Sequence, residues 1–453
     1  MSSRGPAPEV TPLPRAPRMV AGSVWLVGLR LVALLLSFGI GLFVARELGA
    51  AEFGRFEGWL AWAALISVAC GFGTDKMVVR LTAAYRDRGD WAALRGLLYG
   101  VGGGVLAVGA AVALAGIGLA ALGVGSAAGV GEPIAIGLVM VPTIVVLRFL
   151  QAALQGLDRV LCSQVVDLLV VPLAFAATLL VMRAFRGELN GVDALAGQTV
   201  AFVVATLVVA TVFVRHRPRE LAGVRAEVHL GNWWSQSWPL LVLAFLQIGV
   251  ARLDIVVFGM VGDDADLGHY AAARRIAAPI VAILLAVNAA AAPVVARLHA
   301  RGDREGLQRL VTPMARWTTL AAACMGIVVI LLGPIVLSWF GRDFVAASDG
   351  LRILVLGQVL NSACGSVVLL LIMTGHTRSA FPGLLVATLV QTVLAAALIP
   401  DHGVVGAAWA SAAGAVTWNV LLALAVVTRL GVDPSVLGRR EPAPATAGRL
   451  SGR

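Results

Sequence analysis

Residues 49–56 read Gly49-Ala-Ala-Glu-Phe-Gly54-Arg-Phe56 and open a long apolar run that ends in Arg88-Gly89-Asp90, followed by Leu94 and Arg95. Residues 262–309 repeat that order: Gly262, Gly268-His-Tyr270, an apolar run, Arg301-Gly302-Asp303, then Leu307 and Arg309. The copies lie close to half the chain apart. A hydrophobic unit written twice is the sequence form of many transporters, in which two similar lobes rock around a shared central site. The seam between the halves is therefore the place to look for function.

Composition sets the solvent. Of 453 residues, 59% are hydrophobic and 13% charged, which marks an integral membrane protein. Read between turn signals, the apolar runs predict twelve helices, each near the roughly 20 residues a bilayer requires. The first six are expected at 20–45, 57–81, 96–120, 133–155, 160–182 and 194–214. The second six are expected at 234–260, 268–295, 311–337, 349–374, 380–399 and 403–428. The expected organisation is a disordered cytoplasmic tail (1–19), a six-helix lobe (20–215), a cytoplasmic linker (216–232), a second six-helix lobe (233–430) and a second disordered tail (431–453). Cys70, Cys162, Cys324 and Cys364 stand singly in apolar segments, with neither metal-ligand spacing nor a disulfide framework.

Arginine sets the expected orientation. Arg80, Arg86, Arg88 and Arg95 crowd one loop and Arg297, Arg301, Arg304 and Arg309 its repeat, whereas the loop holding Asp263, Asp264 and Asp266 has none. The positive-inside rule then places both termini in the cytoplasm. The net charge of +10 is thus topological, with attraction to anionic lipid headgroups and not to nucleic acid. Six spans per half is an even number, so the halves share one orientation, related by an axis along the membrane normal.

Four segments carry a family resemblance. Ala45-Arg-Glu-Leu-Gly-Ala-Ala-Glu-Phe-Gly54 resembles the first-loop signature of bacterial polysaccharide flippases, and Ala153-Leu-Gln-Gly156 the end of their fourth span. Arg252-Leu-Asp254 with Gly268-His-Tyr270-Ala-Ala-Ala-Arg274 resembles their seventh-to-eighth-span signature. Leu398-Ile-Pro400-Asp-His-Gly403-Val-Val-Gly406-Ala-Ala is similar to their last turn. The resemblance covers residues 20–430. It implies an all-α fold of two six-helix lobes around a central cavity, in a bacterial cytoplasmic (inner) membrane. The implied cargo is undecaprenyl-pyrophosphate-linked oligosaccharide, moved from the inner to the outer leaflet for a polymer such as exopolysaccharide or O-antigen. The implied partners are this lipid-linked glycan and membrane lipids, with glycosyltransferases and a polysaccharide polymerase as neighbours.

Charges inside the spans nominate the site, because each is costly in the bilayer unless paired or wet. Arg30 lies near the middle of the first span; Asp75 and Lys76, the sequence's one lysine, lie in the second. Arg148 and Asp167 flank the turn near Gly156–Asp158 almost symmetrically, so an antiparallel helix pair brings them to one depth as an ion pair. Around the turn near Asp264, Arg252 and Asp254 come before and Arg274 and Arg275 after. Three cations against one carboxylate leave positive charge in excess, which favours an anion-binding cavity. Residues two apart on a helix point different ways, so Arg252 and Asp254 are not expected to share one cavity fully. The candidate substrate-binding cations are Arg30, Lys76, Arg148, Arg252, Arg274 and Arg275. The candidate ion-coupling or charge-balancing acids are Asp75, Asp167 and Asp254. Gln247, Asn288, Gln358, Asn361 and Gln391 are expected mainly as hydrogen bonds between helices. No cofactor is expected; a coupling ion, proton or sodium, is left open.

Two other classes compete. A multidrug/cation antiporter of the same superfamily would prefer a cavity lined by carboxylates and aromatics, whereas these spans carry more arginine than acid. A membrane polysaccharide polymerase needs a sizeable external loop and a catalytic constellation; the sequence offers neither a Ser/His/Asp pattern nor a zinc pattern. A transporter that is not an enzyme is the expectation.

Overall fold

A computed structural model describes the backbone of residues 16–122 and 131–438 and the side chains of 28–122 and 136–438. The tails expected over 1–19 and 431–453 fall largely outside it. Among the described residues, nine helices are long and apolar enough to cross a bilayer, and a bent pair makes a tenth. Two of the nine are really two segments each. Ala16–Cys70 and Ala380–Leu430 hold 55 and 51 residues, roughly 80 Å at 1.5 Å per residue, far more than a hydrocarbon core of about 30 Å. They break at Gly49 (φ 72°) and Gly403 (φ 49°), a left-handed conformation that glycine adopts without a Cβ penalty.

Twelve spans result, as the apolar runs predict. Span 1 covers 16–48. Span 2 covers 50–70 and continues as Thr74–Arg88. Spans 3 to 6 are Trp91–Ala121, Gly131–Gly156, Val160–Arg186 and Gly191–His216. Spans 7, 8 and 9 are Leu230–Val261, Asp264–Ala300 and Arg304–Phe340. Span 10 joins Ser348–Ala363 to Val367–Met373, bent by 41°. Spans 11 and 12 are 380–402 and 404–430. Spans 1–6 and 7–12 form two lobes, related by a pseudo-two-fold axis along the bundle, which meet through spans 1 and 2 against 7 and 8. An even count places both ends of the described chain at one end of the bundle, the arginine-rich one.

Some features were not expected. Span 5 carries a π-helical turn at Val166–Val170, immediately before Pro172; proline lacks the N–H an α-helix would use there, and the wider turn absorbs the mismatch. The linker is docked: Arg95 Nη1 donates to Leu221 O (3.0 Å) and Val224 O (2.6 Å), and Glu227 N donates to Ala92 O (3.1 Å). Residues 431–438, expected to begin a disordered tail, form an ordered strap instead. Gln308 and the Asp433 backbone exchange two 2.8 Å hydrogen bonds, and Val436 N donates to Ala363 O (3.1 Å). The break in span 10 leaves that carbonyl without a helical partner, and the strap supplies one.

Candidate functional site

The end of the bundle away from the arginine loops is sealed by the repeated unit itself. Gly54 and Gly268 occupy equivalent places in the two copies, and each packs on the backbone of the other. A Cβ on Gly54 would lie 1.9 Å from Asp264 O, and one on Gly268 would lie 2.0 Å from Ala50 O. No other residue type fits such an approach. Arg55 Nε donates to Asp264 Oδ2 at 2.7 Å across the seam, and the Phe53 and Phe344 rings meet edge to face with centroids 6.2 Å apart.

Below this seal the lobes part. A cavity of about 1010 Å³ lies between them, with Arg30, Glu57, Asp167, Arg252, Arg274 and Arg275 in its walls. A second hollow of about 340 Å³ shares Leu60, Gln198 and Arg252 with it and reaches Asp75 and Arg148 toward the arginine-rich end. The hollow space therefore runs from mid-depth toward one end only.

The charges in the walls pair in a way the sequence did not reveal. Asp254, 0% exposed, accepts from Tyr270 Oη, from Arg274 Nη1 and, at 2.9 Å, from Ile255 N. Arg274 also donates to Ala251 O at 2.8 Å, so it is tied back to span 7. Arg275 turns the other way. It donates to Glu57 and to Ser37 O (3.4 Å) and lies 5.5 Å from the Phe53 ring centre. Glu57 is buried in lobe 1, and its other oxygen is 3.9 Å from Arg252 Nη1. Arg252 keeps 35% of its side chain exposed and lines both hollows.

The expected ratio of three cations to one carboxylate is thus corrected to three against two, still with positive charge in excess. The missed residue is Glu57. It follows Phe56 as Ala271 follows Tyr270 in the second copy, so laying the copies over one another would have placed it beside this cluster. Arg252 and Asp254 diverge as expected, one into the cavity and the other into the core.

The remaining candidates divide. Arg148 and Asp167 form the expected ion pair at 2.5 Å, and Gln151 Nε2 adds a 2.9 Å hydrogen bond to Asp167. Lys76 is not at the arginine cluster; its Nζ donates to Gln247 across the lobe boundary at 3.0 Å. Asp75 lines the second hollow, half-buried. Arg30 lines the large cavity, exposed, with no ion pair among the described residues. Three of the mid-span amides tie helices together: Asn288 accepts from Ser366, Asn361 Oδ1 accepts from Asn419 at 2.6 Å, and Gln391 donates to Val250 O at 3.3 Å; Gln358, expected to do the same, instead accepts from Asn361 on its own helix at 3.3 Å. Among the described residues no group of three or more His, Cys, Asp or Glu could hold a metal ion.

Comparison with known proteins places this geometry. The family model described as "Polysaccharide biosynthesis protein" matches residues 19–299, and the MatE model matches residues 239–397. No curated protein matches by sequence. Among solved structures, the chain is similar to an inward-facing multidrug resistance MATE family transporter of the MOP superfamily. The TM-score is 0.69 at 15% identity, over 89% of this chain and 98% of the other. It is also similar to the lipid II flippase MurJ in an inward closed conformation, at a TM-score of 0.64 and 12% identity over 90% and 87%. A MOP superfamily transporter from Pyrococcus furiosus, described as having a binding pocket of reverse polarity, aligns at 0.59 and 13% identity over 90% and 95%.

Proposed function

We propose, on the premise that the chain belongs to the polysaccharide biosynthesis protein family and is a transporter or flippase of the MOP superfamily fold, that it carries undecaprenyl-pyrophosphate-linked oligosaccharide from the inner to the outer leaflet. The observation that supports this cargo is the surplus of guanidinium in the inter-lobe cavity. Among the described residues, Arg252, Arg274 and Arg275 pair with two carboxylates, Glu57 and Asp254, and Arg30 adds a further cation to the same wall. Arginine suits the role because its planar fork binds phosphate oxygens in pairs and stays charged.

With the arginine-rich end in the cytoplasm, as the positive-inside rule assigns it, the hollow faces inward. A diphosphate entering there competes with Glu57 for Arg252 and Arg275. Because Glu57 belongs to lobe 1 and the arginines to lobe 2, loosening that pair frees the lobes to rock. Closing the arginine-rich end while parting Gly54 from Gly268 then exposes the cargo to the other leaflet. The glycan stays in the wet cavity and the polyprenyl chain in lipid. Moving one negative charge outward across an inside-negative membrane gains about 2.3 kcal/mol per 100 mV, which provides drive without ATP. Asp254 and Asp167 serve as charge balance, each held by its own arginine. Asp75, with no ion pair among the described residues, is left to bind a coupling proton or sodium ion.

A second reading, a multidrug/cation antiporter, is favoured by the MatE match and by the MATE-like fold. The surplus positive charge weighs against cationic cargo. Proteoliposomes loaded on one leaflet with undecaprenyl-diphosphate-linked sugar separate the two. The wild type is expected to flip the glycolipid, and Arg252→Ala to flip it far more slowly while still inserting and folding. Efflux of cationic dyes without glycolipid movement would establish the antiporter instead.

A further inference from the structure

The hydrogen-bonding groups around the two hollows are divided by lobe. Lobe 2 lines them with Arg252, Arg274 and Arg275, and otherwise with alanine, isoleucine and leucine alone. Among the described residues, every neutral polar side chain in their walls belongs to lobe 1. Some of these are already engaged: Ser67 Oγ donates to Ala64 O at 2.8 Å and Thr74 Oγ1 to Gly71 O at 2.6 Å. Two amides are not. Gln164 on span 5 and Gln198 on span 6 make no side-chain hydrogen bond among the described residues, whereas Gln151 and Gln155 nearby are both paired. Gln198 is only 8% exposed and lines both hollows. Burying an amide so deeply without a partner is costly, unless an occupant of the hollow supplies one.

Depth sets what that occupant carries there. By helical rise, Gln198 lies about 10 Å below Gly191 at the sealed end, and Arg252 about 14 Å below Val261 at the same end. The two therefore face one space from opposite lobes at nearly one level. Arg30, the cation lobe 1 adds to the large cavity, lies about 27 Å below the end of span 1, far from this level. Guanidinium groups only donate hydrogen bonds, so they suit phosphate oxygens and leave hydroxyl protons without an acceptor. An amide both accepts and donates. Its oxygen can take the proton of one hydroxyl while its nitrogen donates to the oxygen of the next.

We infer that the lobes divide the cargo headgroup: the arginines of lobe 2 take the diphosphate, and Gln198, with Gln164, takes adjacent hydroxyls of the first sugar from lobe 1. This rests on the proposed cargo and adds the side chains that read its glycan. A headgroup held from both sides joins the lobes, whereas a bare diphosphate engages lobe 2 without these amides.

The test measures affinity on the full chain in nanodiscs for undecaprenyl diphosphate and for undecaprenyl-diphosphate glucose, a neutral sugar with adjacent hydroxyls. The wild type is expected to bind the glucosylated lipid about tenfold tighter than the bare one. Gln198→Met keeps the length of the side chain and removes its donors and acceptor, and is expected to abolish that preference. An amide that served only the packing of span 6 would weaken both lipids alike and leave their ratio. Gln164→Met, at a half-buried position, is expected to narrow the ratio too. A Gln198→Met protein that keeps the preference, or a wild type that binds the two lipids equally, overturns the inference while the cargo stands. Should Gln198→Met not fold, an unchanged ratio in Gln164→Met overturns it as well. A wild type that binds neither lipid overturns the cargo and the inference together.

Discussion

Gly54→Ala should shift the molecule toward the state in which the sealed end is open. The added methyl would sit 1.9 Å from Asp264 O and 2.7 Å from Gly268 N. Ordinary van der Waals contact begins at 3.4 Å, so the two backbones must separate by about 1.5 Å. Neither neighbour is a flexible side-chain tip, so the strain falls on the helix contact itself. Overpacking of this kind costs about 1–3 kcal/mol. The cost applies only where Gly54 and Gly268 touch, because the methyl has room once the seam parts. A penalty borne by one state shifts the equilibrium by roughly 5- to 150-fold. With the four native cysteines replaced, spin labels at Glu188→Cys in lobe 1 and Asp343→Cys in lobe 2, both exposed near the sealed end, would report the separation by pulsed electron resonance in liposomes. The expected result is a new, longer-distance population in Gly54→Ala and, by the same argument, in Gly268→Ala. A folded Gly54→Ala protein with the wild-type distance distribution would refute the claim that this contact is the seal.

Other outcomes follow from the pairings. Asp254→Asn strips the buried partner from Arg274, and breaking one side of a buried ion pair costs about 3–5 kcal/mol; a marked drop in melting temperature in detergent is expected, and an unchanged one would mean the arginine finds water instead. Glu57→Gln removes the carboxylate that faces both Arg252 and Arg275, so affinity for undecaprenyl diphosphate should rise about tenfold; equal or weaker binding contradicts competition between Glu57 and phosphate. Gln308→Ala removes both hydrogen bonds to Asp433. Faster amide exchange at Val436 and near Ala363 is expected, and unchanged exchange would show that the strap is held by packing alone.

The spans were legible because a chain in lipid must satisfy its backbone polar groups within each helix, which writes one long apolar run per crossing. The breaks inside spans 2 and 10 were not. At 71–73 the chain bends to lay Gly73 against Leu241 and to let Ser237 donate to Phe72 O, and no local signal names a partner so distant in sequence. The Arg148–Asp167 pair was legible, since one turn joins its two helices and fixes their relative depth. Glu57 was not, because it looked like the polar start of an apolar run.

The amino-acid sequence by itself determined the twelve crossings, the duplication and the concentration of arginine at one end, all of them consequences of the solvent that each segment must meet. Only the tertiary structure decided that Arg274 is bound to Asp254 on its own lobe while Arg275 reaches Glu57 on the other. It also decided that Gly54 and Gly268 close one end by backbone contact. The Arg275–Glu57 pair and the glycine contact join segments some two hundred residues apart, and such distances are set by how the lobes pack, which no local pattern encodes.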